Sequence, residues 1–147
     1  MKPSFALCLA LVAPLLLLPG CGDPPPSQTS QAGSATGQQE TVFRSLSPQE
    51  AKALMGTNKE LLLIDVRGPD ELWLGSIPGS QLIPFTEIAK GKASLPPGRP
   101  LLLICAVGGR SYAVGRYFAS RGGYPEIYNL DGGIAAWKAA GLPLARP

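Results

Sequence analysis

One cysteine in the C-terminal half of the chain stands where a reactive thiol is expected. Cys105 ends the run 101–105, in which four large apolar residues follow Pro100, and glycines come soon after it. A short apolar run with such boundaries is typical of a buried parallel strand. Open α/β sheets bind ligands at the carboxyl ends of their strands. We therefore predict that Cys105 faces a ligand site.

The loop after this cysteine has the composition of an anion-binding site. Apolar residues recur at helical spacing from Ser111 onward, so the loop lies at a helix N-terminus, which stabilises anions. Gly108 and Gly109 allow successive N–H groups to turn inward, and Arg110 adds a full positive charge. Such surroundings lower the pKa of a thiol from about 8.5 to roughly 3.5–7.5. Because the chain has no histidine, we expect backbone dipoles and Arg110 alone to stabilise the thiolate of Cys105.

The alternative role for Cys105 is that of a small buried hydrophobic residue, which is the commoner role of a lone cysteine. The glycine pair and the arginine at a helix start favour the reactive role. The sequence has no Cys/His grouping that could hold a metal, and the loop lacks the Gly-Lys-Ser/Thr ending of a nucleotide-binding loop. We therefore expect neither a metal nor a cofactor.

The N-terminal 40 residues are predicted to lie outside the folded domain. A lysine precedes a 14-residue, mostly apolar stretch, Phe5–Leu18, which is short for a bilayer span and suits a signal peptide over residues 1–20. Leu18-Pro19-Gly20-Cys21 resembles a bacterial lipobox, which implies cleavage before Cys21 and lipidation of that residue. Residues 21–40 would then be the lipidated cysteine and a disordered linker rich in Gly, Pro, Ser and Gln. An unlipidated secreted protein and an uncleaved anchor are the alternatives.

This processing predicts where the protein resides and what it can contact. It would leave the protein lipid-anchored on the periplasmic face of a bacterial membrane, with Cys105 as its only free thiol, because Cys8 leaves with the signal peptide and Cys21 is acylated. The formal net charge is +3, and the basic residues are scattered, which argues against nucleic-acid binding. The choice of inner or outer membrane and the oligomeric state remain open.

Residues 41–147 are predicted to form one α/β domain in which strands and helices alternate. Repeated βα units imply a parallel sheet with helices on both faces. Ser47 and Glu50 form a capping-box pattern at the start of the first helix, and Gly56 is predicted to close it. The other predicted helices are 70–74, 86–90, 111–121 and 134–140, and the predicted strands are 42–45, 61–66, 81–83, 101–105 and 126–130.

With this pattern of elements, the sequence resembles a single domain of the rhodanese (sulfurtransferase) family over about residues 42–144. Three stretches in order carry the resemblance. They are Asp65-Val66-Arg67 with Glu71, Gly75, Ile77-Pro78-Gly79 and Ile83-Pro84; the loop Cys105-Ala106-Val107-Gly108-Gly109-Arg110-Ser111, which fits C-x-x-G-x-R-S; and Asn129-Leu130-Asp131-Gly132-Gly133 with Trp137 and Gly141-Leu142-Pro143.

The resemblance implies a rhodanese-like fold, with a five-stranded parallel sheet flanked by helices on both faces, and a sulfur-transfer activity. The active cysteine would take a sulfane sulfur from a small anionic donor, carry it as a persulfide, and pass it to a thiol or cyanide acceptor. The loop from cysteine to arginine has six residues, whereas related phosphatases use a loop one residue longer. On this resemblance the catalytic residues are Cys105 and Arg110, and the cradle for the sulfur is formed by Ala106, Val107, Gly108, Gly109 and Ser111.

Some features leave the details open. Ser76 stands where the family often has histidine, which we expect to alter local hydrogen bonding and not the chemistry. Ala106 and Val107 are uncharged, whereas family loops for thiosulfate often carry extra cations, so the donor could be a persulfide instead of thiosulfate. Asp65 and Arg67 could orient the active loop, or could pair with each other or with Glu71 for structure alone, which we favour.

A non-catalytic binding module and a thiol redox partner are the alternative functions. The absence of a second cysteine to resolve a mixed disulfide weakens the redox alternative.

Overall fold

A fully parallel five-stranded β-sheet forms the centre of the structure, a computed structural model that describes residues 40–146. The strand order is β1-β5-β4-β2-β3, which places β4 in the middle. The finding confirms the predicted α/β fold class. The predicted signal peptide, Cys21 and nearly all of the predicted linker lie outside the described residues. The strands are β1 (Val42–Leu46), β2 (Leu62–Asp65), β3 (Gln81–Leu82), β4 (Leu101–Ile104) and β5 (Glu126–Leu130).

Helices cover both faces of the sheet. Side chains alternate along β4, so Leu101 and Leu103 face one hydrophobic core while Leu102 and Ile104 face the other. The first core packs against α2 and α3, and the second against α1 and α4. Among residues 40–146 no helix combines the length and apolar character needed to cross a membrane. The helices are α1 (Pro48–Thr57), α2 (Phe85–Ala89), α3 (Gly109–Ala119) and α4 (Gly133–Ala139), and a 3-10 segment spans Pro69–Leu74.

Two helix boundaries and one helix type differ from the sequence predictions. Helix α3 begins at Gly109, before the predicted start at Ser111, because Gly108 adopts the left-handed conformation at φ +91° and takes the cap position. Helix α1 continues through Gly56 and is capped by Asn58. The stretch predicted as a helix over 70–74 is a 3-10 segment. The other elements agree with their predicted ranges to within one or two residues.

Candidate active site

Cys105 lies directly after the central strand β4, at the carboxyl edge of the sheet, and is fully buried. Strands β2 and β5 flank β4 through parallel pairing, with Asp65 opposite Ile104 and Asn129 opposite Leu103. The ends of these three strands therefore bring Asp65, Cys105 and Asn129 to the same edge. This edge is where parallel sheets position their functional groups.

Hydrogen-bond donors of the loop that follows Cys105 lie around its sulfur. The N–H of Gly108 lies 3.1 Å from Sγ, and the hydroxyl oxygen of Ser111 lies 3.3 Å from it. Burial raises the pKa of the Cys105 thiol, but the Ser111 hydroxyl and the N–H groups of Ser111, Val107 and Gly108 outweigh burial, so the net pKa is lowered. The donor set corrects the expectation that backbone dipoles and Arg110 act alone. Ser111 lies in the first turn of α3, where its side chain points back toward the loop.

Gly108 allows the loop to make its tight turn. Its φ of +91° is a conformation that residues with a side chain rarely adopt. A Cβ atom at this position would lie 3.0 Å from the nitrogen of Gly132 and 3.2 Å from the carbonyl oxygen of Leu130. The close packing of the loop against the end of β5 therefore requires glycine here.

The start of helix α4 supports the same loop from outside. The N–H of Ile134 donates to the carbonyl of Cys105 at 2.9 Å, and the N–H of Ala135 donates to the carbonyl of Ala106 at 3.0 Å. A Cβ on Gly133 would lie 2.7 Å from the nitrogen of Val107, so only glycine permits this approach. The N–H of Val107 belongs to the same peptide group as the Ala106 carbonyl that α4 holds, and this N–H helps to lower the pKa of Cys105. Gly133 belongs to the third stretch of the family resemblance, but the sequence alone indicated no role for it.

Arg110 is held by a carboxylate and is not a free cation. Its two terminal nitrogens each donate to one oxygen of Glu71 at 2.6 Å. Arg110 is the main cause that lowers the pKa of Glu71 to about 2, and the N–H of Gly68 also donates to this carboxylate at 2.9 Å. The positive charge next to the loop is therefore largely compensated. The sequence analysis missed this pair because its partners are 39 residues apart.

Asp65 and Arg67 form a buried ion pair with each other. The Nε of Arg67 lies 3.0 Å from both carboxylate oxygens, and its Nη2 lies 2.6 Å from Oδ2. The same guanidinium donates to the carbonyls of Gly75 and Glu71, at 2.9 and 3.3 Å. Arg67 thus fixes the 3-10 segment through two carbonyl groups, and this segment carries Glu71, whose carboxylate binds Arg110. Of the pairings that the sequence left open, the structure shows Arg67 with Asp65.

A buried polar relay below the cysteine was not anticipated. The hydroxyl of Ser111 donates to Asn129 Oδ1 at 2.7 Å, and Asn129 Nδ2 donates to Ser45 Oγ at 3.0 Å. Asn129 is 2% exposed and lies on β5, which packs between β1 and β4. The other cradle residues lie further out, with Ala106 half-buried, and Gly109 and Val107 exposed. The sequence signal for the relay was an asparagine between Tyr128 and Leu130 in a strand whose last four residues are buried.

Comparison with known proteins is consistent with this geometry. A sulfurtransferase of Allochromatium vinosum is 34% identical over 93 residues, covering 63% of this chain and 86% of that protein. The thiosulfate sulfurtransferase GlpE of Pseudomonas aeruginosa is 29% identical over 98 residues, covering 67% and 86%. The crystal structure of a rhodanese-related protein from Thermoplasma volcanium superposes with a TM-score of 0.61 at 30% identity, covering 71% of this chain and 99% of that one. The family model of the rhodanese-like domain matches residues 47–140, and the chain therefore belongs to the rhodanese-like domain family.

Proposed function

We propose that the protein is a sulfurtransferase in which Cys105 accepts a sulfane sulfur and passes it to a thiophilic acceptor. The observation that carries the proposal is the Cys105 sulfur, which lies inside a loop whose N–H and hydroxyl donors lower its pKa. The thiolate is the nucleophilic form of cysteine. The relatives named sulfurtransferase support the same reaction class.

The proposed reaction has two steps that use the same donors. In the first, the Cys105 thiolate attacks the outer sulfur of the donor, a new S–S bond forms, and the donor leaves as sulfite or as a thiolate with the electron pair of the broken bond. In the second, cyanide or a thiolate attacks the terminal sulfur, and Cys105 leaves as a thiolate. The sulfur that the acceptor takes is the one that the donor supplied, so no external oxidant is needed. The loop donors stabilise the anion at each stage.

We propose a persulfide as the preferred donor class. Thiosulfate is a dianion, and the nearest cation, Arg110, is already paired with Glu71 through two short hydrogen bonds. Ala106 and Val107 carry no charge, and Val107 is 70% exposed. A loop with little net positive charge suits a singly charged persulfide on a small molecule or on a protein. The donor experiments below include thiosulfate because one relative carries it in its name.

The N-terminal residues suggest where this reaction takes place. We propose that Cys21 is lipidated and that the domain is held on the periplasmic face of a bacterial membrane, as the lipobox resemblance implies. Mass spectrometry should detect acyl chains on Cys21 of the wild-type protein and none on a Cys21→Ser variant. A wild-type protein that carries no acyl chain on residue 21 would contradict the proposal.

Turnover measurements test the catalytic role of Cys105. The full-length chain should form thiocyanate from cyanide with thiosulfate or a small-molecule persulfide, and double-reciprocal plots at several acceptor concentrations should give parallel lines, as a covalent intermediate requires. Cys105→Ser should abolish turnover, whereas Cys8→Ser should retain it. Turnover that survives in Cys105→Ser would refute the proposal. No turnover with any donor in the wild-type protein would favour a binding module.

A further inference from the structure

The hydroxyl group of Ser111 has one proton and three acceptors within reach. Its oxygen lies 3.3 Å from Cys105 Sγ, 3.1 Å from the carbonyl of Gly108 and 2.7 Å from Asn129 Oδ1. A hydroxyl group donates only one hydrogen bond, and 2.7 Å is the favoured O–H···O distance. The proton therefore lies toward Asn129, and the oxygen lone pairs face the sulfur. This arrangement suits a sulfur without negative charge, whose S–H can donate to Ser111.

An anionic sulfur requires the opposite arrangement. When Ser111 turns its proton toward a thiolate, its oxygen and Asn129 Oδ1 would face each other at 2.7 Å with no proton between them. A half-turn of the amide removes this conflict, because Nδ2 then donates to Ser111 and Oδ1 accepts from the hydroxyl of Ser45. Ser45 is exposed and now accepts from Nδ2 at 3.0 Å. As a hydroxyl group, Ser45 can donate or accept as the amide requires.

We infer that Asn129 is a positioning residue whose side-chain amide reverses its orientation when the charge on Cys105 Sγ changes. The inference deepens the proposed sulfur transfer and rests on it for its purpose. During that reaction Sγ is anionic as a thiolate, and becomes a neutral divalent sulfur when the persulfide forms and the charge moves to the terminal sulfur. Ser111 must therefore donate a hydrogen bond to Sγ while Sγ is a thiolate, and turn its proton away from Sγ when the persulfide forms. The relay through Asn129 keeps every buried polar group hydrogen-bonded in both stages.

The charged groups around the sulfur act on its titration independently of this relay. Arg110 on α3 faces Cys105, and Glu71 on the 3-10 segment compensates Arg110. Asp65 and Arg67 at the end of β2 compensate each other. Ser111→Ala and Ser45→Ala leave all four charges in place, so a change in their thiol titration reports on the hydrogen bonds to the sulfur. Asn129→Asp adds a negative charge that also disfavours the thiolate, and the same substitution in a Ser111→Ala background measures this repulsion by itself.

Two measurements on the full-length chain test the inference. In the first, the side-chain amide signals of Asn129 are followed by ¹⁵N NMR through the pH range in which Cys105 ionises. In the second, the rate of alkylation is measured against pH on the tryptic peptide that carries Cys105, in Ser111→Ala, in Asn129→Asp with and without Ser111→Ala, and in the control Ser45→Ala. The carboxylate of Asn129→Asp cannot donate, so it should retain the Ser111 proton.

The expected results separate the relay from a purely structural role. The Asn129 signals should shift with the same midpoint as the alkylation of Cys105. Ser111→Ala should raise that midpoint by about one pH unit, since a hydrogen bond to a charged group is worth about that much. Asn129→Asp should raise the midpoint by about one unit more when Ser111 is present than in the Ser111→Ala background, where only the new charge acts. Ser45→Ala should move it by at most a few tenths of a unit, because water can replace an exposed hydroxyl.

Either of two results would overturn the inference. One is an Asn129 amide signal that does not move while the thiol titrates, which needs only the wild-type protein and so remains decisive if a variant fails to fold. The other is an Asn129→Asp substitution that raises the midpoint by the same amount with and without Ser111. Sulfur uptake is measured separately. If the Asn129 amide signal follows the titration but the protein never takes up sulfur, the sulfurtransferase proposal is refuted and the relay stands.

Discussion

Replacing Glu71 by glutamine tests whether the ion pair beside the loop stabilises the fold. Glu71 has a pKa of about 2, compared with an ordinary value of 4.5, and Arg110 is the main cause. A shift of this size corresponds to a ceiling of about 3 kcal/mol. The Arg110 side chain is 37% exposed, so solvent screening reduces the contribution. We therefore expect Glu71→Gln to lower the free energy of unfolding by about 1–2 kcal/mol at pH 7.

The pH dependence of this loss has a definite sign. Because the pKa of Glu71 is depressed in the folded protein, its contribution is fully present above the ordinary value of 4.5 and is lost as the pH falls toward about 2. The difference in unfolding free energy between wild type and Glu71→Gln should therefore shrink steadily across this interval. Urea unfolding at a series of pH values from 7 down to 2.5, followed by tryptophan fluorescence, measures that difference.

A matched carboxylate on the surface serves as the control. Glu87 forms a 3.5 Å contact with Lys90 in which both side chains are exposed, and Glu87→Gln should change the unfolding free energy by no more than about 0.5 kcal/mol at any pH. The reasoning fails if the deficit of Glu71→Gln stays constant from pH 7 to 3. It also fails if the two variants lose the same amount at pH 7.

Further substitutions test the backbone, the buried ion pair and the donor class. Gly133→Ala should lower the free energy of unfolding in urea by about 3 kcal/mol or more, because φ is +56° and the new Cβ would meet the active loop. The control Gly141→Ala, at φ +69° in open space, should lower it by about 1 kcal/mol. Equal losses in the two variants would contradict the close packing at Gly133. Arg67→Met should cost about 3–5 kcal/mol by leaving its carboxylate partner buried and unpaired, and a loss below about 1 kcal/mol would show that this ion pair is dispensable. Val107→Lys should speed sulfur loading from thiosulfate roughly tenfold at low salt and lose that gain at high salt. The uncharged control Val107→Gln should load sulfur at the wild-type rate. An unchanged rate in Val107→Lys would mean that loop charge does not select the donor.

The sequence predicted those parts of the fold and the site that depend on residues close together in the chain. The apolar run of β4, the glycines after Cys105 and the helical spacing after Ser111 lie within about one strand and one helix of each other, so they predict the loop and its position at a strand end. The start of α3 was placed two residues late because the left-handed cap at Gly108 shifts the helix toward the loop.

Contacts between distant residues could not be predicted in the same way. Glu71 meets Arg110 across 39 residues, and Ser111 meets Asn129 across 18. Both meetings depend on the order of the strands, which places β2 and β5 on either side of β4. Residue periodicity reports which face a side chain occupies, but it does not report which strands are neighbours. The corrected role of Arg110 and the relay through Asn129 therefore required the structure.

The most direct test of the central claim is the mass of the Cys105 peptide after the full-length chain is incubated with thiosulfate or a small-molecule persulfide. The account predicts a gain of one sulfur atom at Cys105, faster with the persulfide, reversed by cyanide and absent in Cys105→Ser. A Cys105 that stays unmodified with every donor and is alkylated with the pH dependence of an ordinary thiol would contradict the account.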